Sequence, residues 1–203
     1  MGTLKTGLGP STIHLCIDMQ RLFAPGGPWP TPWMERVLPN VIRLVEASPS
    51  RTLFTRFIPP RTPDEASGMW RAYYQKWHHV TRAHMDADLL DLVPALSRYV
   101  PPAAILDRMQ YSAFADGQLH TALRQRSIDT LVVTGSETDV CVLSSVLSAV
   151  DLGYRLVIAS DAICSSSDKA HDALLELYQR RFDIQIEVSD TSEIIDAWRI
   201  DDH

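Results

Sequence analysis

The stretch at residues 130–154, TLVVTGSETDVCVLSSVLSAVDLGY, decides how the whole chain is read. An apolar run leads into Gly135, then a polar tetrapeptide, then Cys141 and a long apolar pattern at helical spacing. This reads as a strand over 129–135, a tight turn, and a helix over 139–153 that stops at Gly153, since glycine often follows the last helical residue. A strand feeding directly into a helix is half of a β-α-β unit, and the same alternation recurs on both sides.

Upstream, residues 12–18 (TIHLCID) form a short apolar run ending in a carboxylate, which reads as a buried strand. A Pro/Gly loop follows at 23–33. Residues 38–48 read as a helix with Pro39 in its first turn, 52–58 as a strand and 103–107 as another. The segments 69–82, 86–99 and 116–127 read as helices, the last with Asp116 as a cap. Downstream come a strand at 154–161, a helix at 166–181, a strand at 184–189 and a helix at 191–199. Regular alternation predicts an α/β fold in three layers, α/β/α, around a six-stranded, mostly parallel sheet. With 203 residues and 45% hydrophobic content, one domain over 1–203 is expected.

Composition narrows the function. The formal net charge is -6 and no long basic run occurs, so nucleic acid is not an expected partner. No apolar run has the length of a membrane span. The first twenty residues lack the cationic start and apolar core of a signal peptide, and Met1-Gly2 with Thr6 makes no case for myristoylation. Three widely spaced cysteines, Cys16, Cys141 and Cys164, argue against a disulfide framework and for a reducing, cytoplasmic setting.

In parallel sheets, ligands bind outside the carboxyl ends of the strands. Asp18, Asp107 with Arg108, the turn from Gly135 to Cys141, and Asp161 stand at those ends. A carboxylate, a cation and a thiol make chemical sense together: the carboxylate takes the thiol proton and the cation supports negative charge. Thr138 or Asp139 as a cap would put Cys141 in the first helical turn, where the helix dipole favours a thiolate. Position alone weighs equally for Cys141 as a small packing residue.

The motifs resemble those of the isochorismatase-like cysteine hydrolases, a family that includes nicotinamidases, N-carbamoylsarcosine and ureidoacrylate amidohydrolases, and biuret hydrolase. The resemblance runs from about Thr12 to Arg199 and rests on CIDMQRLF (16–23), LDRMQYSAF (106–114) and GSETDVCVLSSVLSAVDLGYRLVIASDA (135–162). It implies the isochorismatase-like fold, with Asp18 as catalytic carboxylate, Cys141 as nucleophile and Phe23 as a substrate-lining aromatic. It also implies a cis peptide at Ser136–Glu137, with the backbone N–H groups of Glu137 and Cys141 holding an oxyanion. The implied activity is cleavage of a small amide, carbamoyl or ureido substrate through a thioester, by a homodimer or homotetramer.

One position departs from the family pattern: its catalytic lysine aligns with Arg108. Guanidinium is planar and effectively never deprotonated, so Arg108 fits an electrostatic role and not proton donation. Three readings follow: a site that works with arginine, a naturally weakened binding homologue, or an introduced substitution. Isochorismatase-type vinyl-ether hydrolysis is a further alternative, against which Cys141 counts.

The nicotinamidase metal motif, Asp-x-His after the second strand, is here Thr55-Arg56-Phe57, so no metal and no cofactor are expected. Arg56 is a candidate for holding a substrate carboxylate, with a solvated arginine as the equal alternative. Trp70, Tyr73, Tyr74 and Trp77 share one helical face that either covers the pocket or packs. Trp70 and Tyr111 are the candidates there for lining the site. No catalytic role is assigned to the Glu137 carboxylate.

Overall fold

Six strands, β1 (Thr12–Ile17), β2 (Thr52–Phe57), β3 (Ala104–Arg108), β4 (Thr130–Ser136), β5 (Arg155–Cys164) and β6 (Ile186–Ser189), pair in the order β3-β2-β1-β4-β5-β6. Every ladder is parallel. The computed structural model describes residues 4–198, so Met1-Gly2 and the Arg199 end of the expected last helix lie outside the described residues.

The helices follow from where each apolar stripe must go. In α1 (Met34–Ala47), Met34, Val37, Val41, Leu44 and Val45 are buried, one face of a 3.6-residue period. This helix begins four residues before its expected start, so Pro39 lies inside it and offers no N–H to the carbonyl of Glu35. The remaining helices are α2 (Met69–Lys76), α3 (Pro94–Ser97), α4 (Gln118–Gln125), α5 (Leu143–Asp151), α6 (Asp168–Arg181) and α7 (Thr191–Ala197).

Alternation along the strands builds two cores. Cys16, Phe54, Val132, Val157 and Ala159 face the side covered by Val41 and Leu44 of α1 and Ile194 of α7. Ile13, Leu15, Ile17, Leu131, Val133, Leu156 and Ile158 face the side covered by Leu119 and Leu123 of α4, Val146 of α5 and Tyr178 of α6. Both faces of the central strands are therefore dry, which is why their sequences read as continuous apolar runs. No helix among the described residues is long and apolar enough to cross a membrane.

Two expectations change. Residues 86–99 are not one helix: a short turn at Ala87–Leu90 gives way to extended chain and then α3. Pro94 disfavours helical backbone at Val93, which sits at ψ 141, and Leu92 and Val93 are drawn into pairing with Gln20 and Met19. Strand β5 runs through Asp161 to Cys164, so Asp161 does not stand at a strand end. Its carboxylate accepts from Thr191 N and Oγ1 (2.9 and 2.8 Å) and from Asn40 Nδ2 (3.0 Å), tying β5 to α7 and α1.

Gly135 of β4 lies directly against Ile17 of β1. Its φ is +109, and a Cβ there would collide with the carbonyl oxygen of Ile17, its partner in the ladder. Only glycine meets both demands.

A buried histidine makes the fold pH-sensitive. His14 Nδ1 meets Thr52 Oγ1 at 3.3 Å, and Nε2 meets Thr134 Oγ1 at 2.7 Å. Thr52 already donates to the carbonyl of Ser48, so it accepts from His14, and Thr134 donates to Nε2. Burial lowers the His14 pKa from its ordinary value of 6.5 to about 3. The unfolded chain therefore binds a proton below about 6.5 that the folded chain refuses, and stability is lost as pH falls from there towards 3. Burial lowers His171 as well and adds in the same direction. Urea unfolding at pH 5 is expected to show about 2 kcal/mol less stability than at pH 7; a flat profile over that interval would remove the argument.

Candidate active site

Strand order reverses between β1 and β4, with β2 and β3 on one side and β5 and β6 on the other. Chains leaving the two central strands diverge at such a point and open a crevice at their carboxyl ends. Asp18 leaves β1 there at φ +49, a left-handed conformation that aspartate tolerates better than most side chains. Its N–H reaches Thr55 Oγ1 at 3.2 Å, and Thr55 Oγ1 donates back to Asp18 Oδ1 at 2.7 Å. Gln20 bridges the same two strand ends: Oε1 accepts from Phe57 N at 2.7 Å, and Nε2 donates to Phe57 O at 3.2 Å.

Arg108 ends β3, two strands away, and its guanidinium carbon crosses the Phe57 ring 5.6 Å from the centroid. Nη2 donates to Asp18 Oδ2 and Nη1 to the carbonyl of Gln110. The side chains of Arg108 and Asp18 are 3% and 0% exposed, so this is a fully buried ion pair. Burial would lower the arginine's pKa, but the charges of Asp18 and Cys141 hold it above its ordinary value. Arg108 is charged at any working pH.

Cys141 lies on a π-helical turn, Thr138–Val142, in which Val140 N and Val142 N both donate to the carbonyl of Glu137. Neither Thr138 nor Asp139 caps it. Thr138 Oγ1 bonds His171 Nδ1 at 2.9 Å, and Asp139 Oδ1 accepts from Ser165 Oγ at 2.5 Å, so both side chains fasten the turn to α6 and to the loop after β5. The Ser136–Glu137 peptide is cis. The Cys141 thiol interacts with Asp18 and with Arg108. Burial pushes its pKa well above the ordinary value, the Asp18 charge pushes it further, and Arg108 opposes without cancelling them. The resting group is thus a thiol beside a ready carboxylate, not the dipole-stabilised thiolate expected from the sequence.

The thiol opens on a cavity of about 470 Å³. Its walls are Phe23, Pro28, Trp29, Pro30, Phe57, Tyr73, Trp77, Tyr111, Glu137, Val140 and Ser166, with Cys141.

A model described as the isochorismatase domain matches residues 12–191. The chain belongs to the isochorismatase family. Among family members, N-carbamoylsarcosine amidase of an Arthrobacter species is 30% identical, the match covering 77% of this chain and 60% of that one. Maleamate amidohydrolase of Pseudomonas putida is 26% identical, covering 95% and 88%. Among solved structures, a cysteine hydrolase of Pseudomonas syringae pv. phaseolicola superposes with a TM-score of 0.81 over 97% of both chains; at 21% identity that likeness speaks for the fold.

The isochorismatase-family motifs thus bring Asp18, Arg108 and Cys141 to one place. Of the other candidates, Phe23 and Tyr111 stand on the cavity wall. Trp70 does not: it packs behind Tyr111, ring centroids 4.8 Å apart, and stacks on Tyr74 at 5.9 Å. The expected aromatic face is divided: α2 ends at Lys76, Tyr73 and the following Trp77 reach the cavity, and Tyr74 is buried in the core. Arg56 turns away from the site. Its Nε and Nη2 grip Asp107 at 2.7 and 2.8 Å, and Nη1 reaches Asp91 at 3.2 Å. Strand alternation explains this, since Thr55 and Phe57 take the cavity side and Arg56 the other.

Sequence reasoning overlooked Thr55, Phe57, Trp29 and Ser166, and left Tyr73 and Trp77 open between covering the pocket and packing. Thr55 and Phe57 flank Arg56 in the triplet read only for a metal, and their period-2 spacing was a usable signal. Among the described residues, no group of three or more His, Cys, Asp or Glu is placed to hold a metal ion.

Proposed function

We propose that the protein is a cysteine hydrolase that cleaves a C–N bond in a small amide, carbamoyl or ureido compound through a thioester on Cys141. The observation that carries this reading is the Cys141 thiol at a cavity wall, within electrostatic reach of a buried Asp18–Arg108 pair. The known activities named for relatives, N-carbamoylsarcosine amidase and maleamate amidohydrolase, support the same bond class.

The steps follow from the groups present. Asp18 takes the Sγ proton as sulfur attacks the substrate carbonyl carbon. The C=O pair moves onto oxygen, and the Glu137 and Cys141 backbone N–H groups stabilise that charge, a contribution of roughly 3–4 kcal/mol per donor. As the C–N bond breaks, Asp18 gives the proton to the departing nitrogen. Water then attacks the thioester carbon and Asp18 takes a proton from it; as the C–S bond breaks, that proton returns to sulfur and the acid product leaves. Arg108 stays charged throughout and keeps Asp18 aimed.

Intact-protein mass spectrometry after rapid acid quench of a carboxamide panel tests this. An adduct equal to substrate minus amine, mapped to Cys141, is expected. Hydrolysis that survives in Cys141→Ala with no adduct in the parent protein would sink the proposal. With iodoacetamide, Cys141 is expected to label before Cys16 and Cys164. It stands on the cavity wall, whereas those two are 0% exposed.

A further inference from the structure

We propose that Glu137 sets substrate choice, selecting small carboxamides that carry an ammonium or other cationic nitrogen held between its carboxylate and the aromatic corner of Trp29, Tyr73 and Trp77. The placement of the scissile carbonyl at Cys141 rests on the hydrolase reading; the charge preference of the cavity does not.

The cavity is unusual in its charge. Among its lining residues six are aromatic, one is acidic and none is Lys, Arg or His. The arginines of β2 and β3 are spent elsewhere: Arg108 on Asp18 and Gln110, and Arg56 on Asp107 and Asp91. Lys76 lies against the Trp77 ring, its ammonium 5.5 Å from the centroid, but does not line the cavity. An anionic substrate entering here would shed water and meet a carboxylate with no cation to receive it.

The rings are set to receive positive charge. Tyr73 and Trp77 lie 6.2 and 6.1 Å from Trp29, tilted to it by 50° and 74°, which makes a concave corner and not a flat stack. A cation seated against such faces is attracted by their negative π clouds, most strongly where water is excluded. Glu137 supplies the matching full charge. Its Oε1 accepts from Thr31 Oγ1 at 3.3 Å, and Ser166 lines the same cavity wall, so the carboxylate is positioned rather than free. Burial raises its pKa, with Ser166 and Thr31 opposing; a bound cation would favour the ionised form further.

Three probes sharing one ring and one carboxamide separate the possibilities: 3-(trimethylammonio)benzamide, its uncharged isostere 3-tert-butylbenzamide, and 3-carbamoylbenzoate. Binding to the full chain is read by calorimetry, and hydrolysis by amine release. The ammonium probe is expected to bind about tenfold or more tighter than its isostere, and the carboxylate probe weakest of the three. In Glu137→Gln the ratio between ammonium and isostere is expected to fall to within about threefold, and Glu137→Asp is expected to restore part of it. A carboxylate probe that binds as well as the ammonium overturns the proposal. So does an unchanged ratio in Glu137→Gln, or an ammonium probe that fails to bind at millimolar concentration. Cation-selective binding without any hydrolysis would leave the selectivity standing and count against the hydrolase reading alone. Hydrolysis without charge preference would do the reverse.

Discussion

Asp18→Asn is expected to lower kcat/KM by about 10⁴-fold and to cost about 3–5 kcal/mol of stability, two losses with separate causes. The kinetic loss comes from the proton. The Cys141 thiol is held protonated by its surroundings, so attack needs a base at the moment of reaction. The carboxamide of the variant would fill the same space and accept no proton from sulfur. The stability loss comes from Arg108, whose side chain is 3% exposed and would remain charged with no counter-charge. Thr55 Oγ1 would still find an amide oxygen, so the hydroxyl contact is not the source of either effect. Steady-state kinetics and urea unfolding on the same preparation check both numbers. An Asp18→Asn variant within tenfold of the parent in kcat/KM would mean that another group takes the proton.

Arg108→Leu is expected to cost about 3–5 kcal/mol and about 10²–10³-fold in kcat/KM, whereas Arg108→Lys is expected to stay within about tenfold of the parent. Leucine leaves the Asp18 carboxylate buried without its counter-charge and no longer aimed at the thiol. Lysine keeps the charge next to Asp18. It gives up the Nη1 bond to Gln110 and deletes Arg108 Nε, which is buried with no partner among the described residues. These two changes oppose each other, so stability should move little. The pair of variants separates the readings of this position. Equal turnover in the parent and Arg108→Lys shows that charge is what the site needs. A hundredfold gain in Arg108→Lys would mark the arginine as a weakening substitution.

The strands were legible because burial on both faces leaves little room for polar residues. TIHLCI, TLVVTG and RLVIAS could be read directly, and the order of strands and helices followed. The segment at 86–99 was misread because its apolar spacing is helical while Pro94 and the pairing of Leu92 with Gln20 break it, and that pairing depends on a residue far earlier in the chain. Asp18, Arg108 and Cys141 could be singled out because a parallel sheet gathers strand ends whatever its loops do. The cavity wall could not. Trp29 comes from the loop after β1, Tyr73 from α2, Trp77 from the residue that ends it, and Ser166 from the loop after β5, and no local pattern says which side of a loop faces inwards. Arg56 shows the same limit from the other direction: its type suited a carboxylate clamp, but alternation along β2 turned it to Asp107. The acidity of Cys141 was misjudged because a helix terminus is a local signal, while the desolvation that outweighs it comes from the whole surrounding fold.

Gly135 bears on how such a site diversifies. Between Asp18 and the turn bearing Cys141, main chain touches main chain where Gly135 meets Ile17 with no room for a methyl group. The loops that furnish Trp29 and Ser166, and the segment that furnishes Tyr73 and Trp77, attach outside that contact. Descendants of this sequence can therefore exchange the cavity wall piece by piece while the spacing of acid and sulfur is inherited untouched. Changes in diet and changes in chemistry are uncoupled by a residue that meets neither substrate nor solvent.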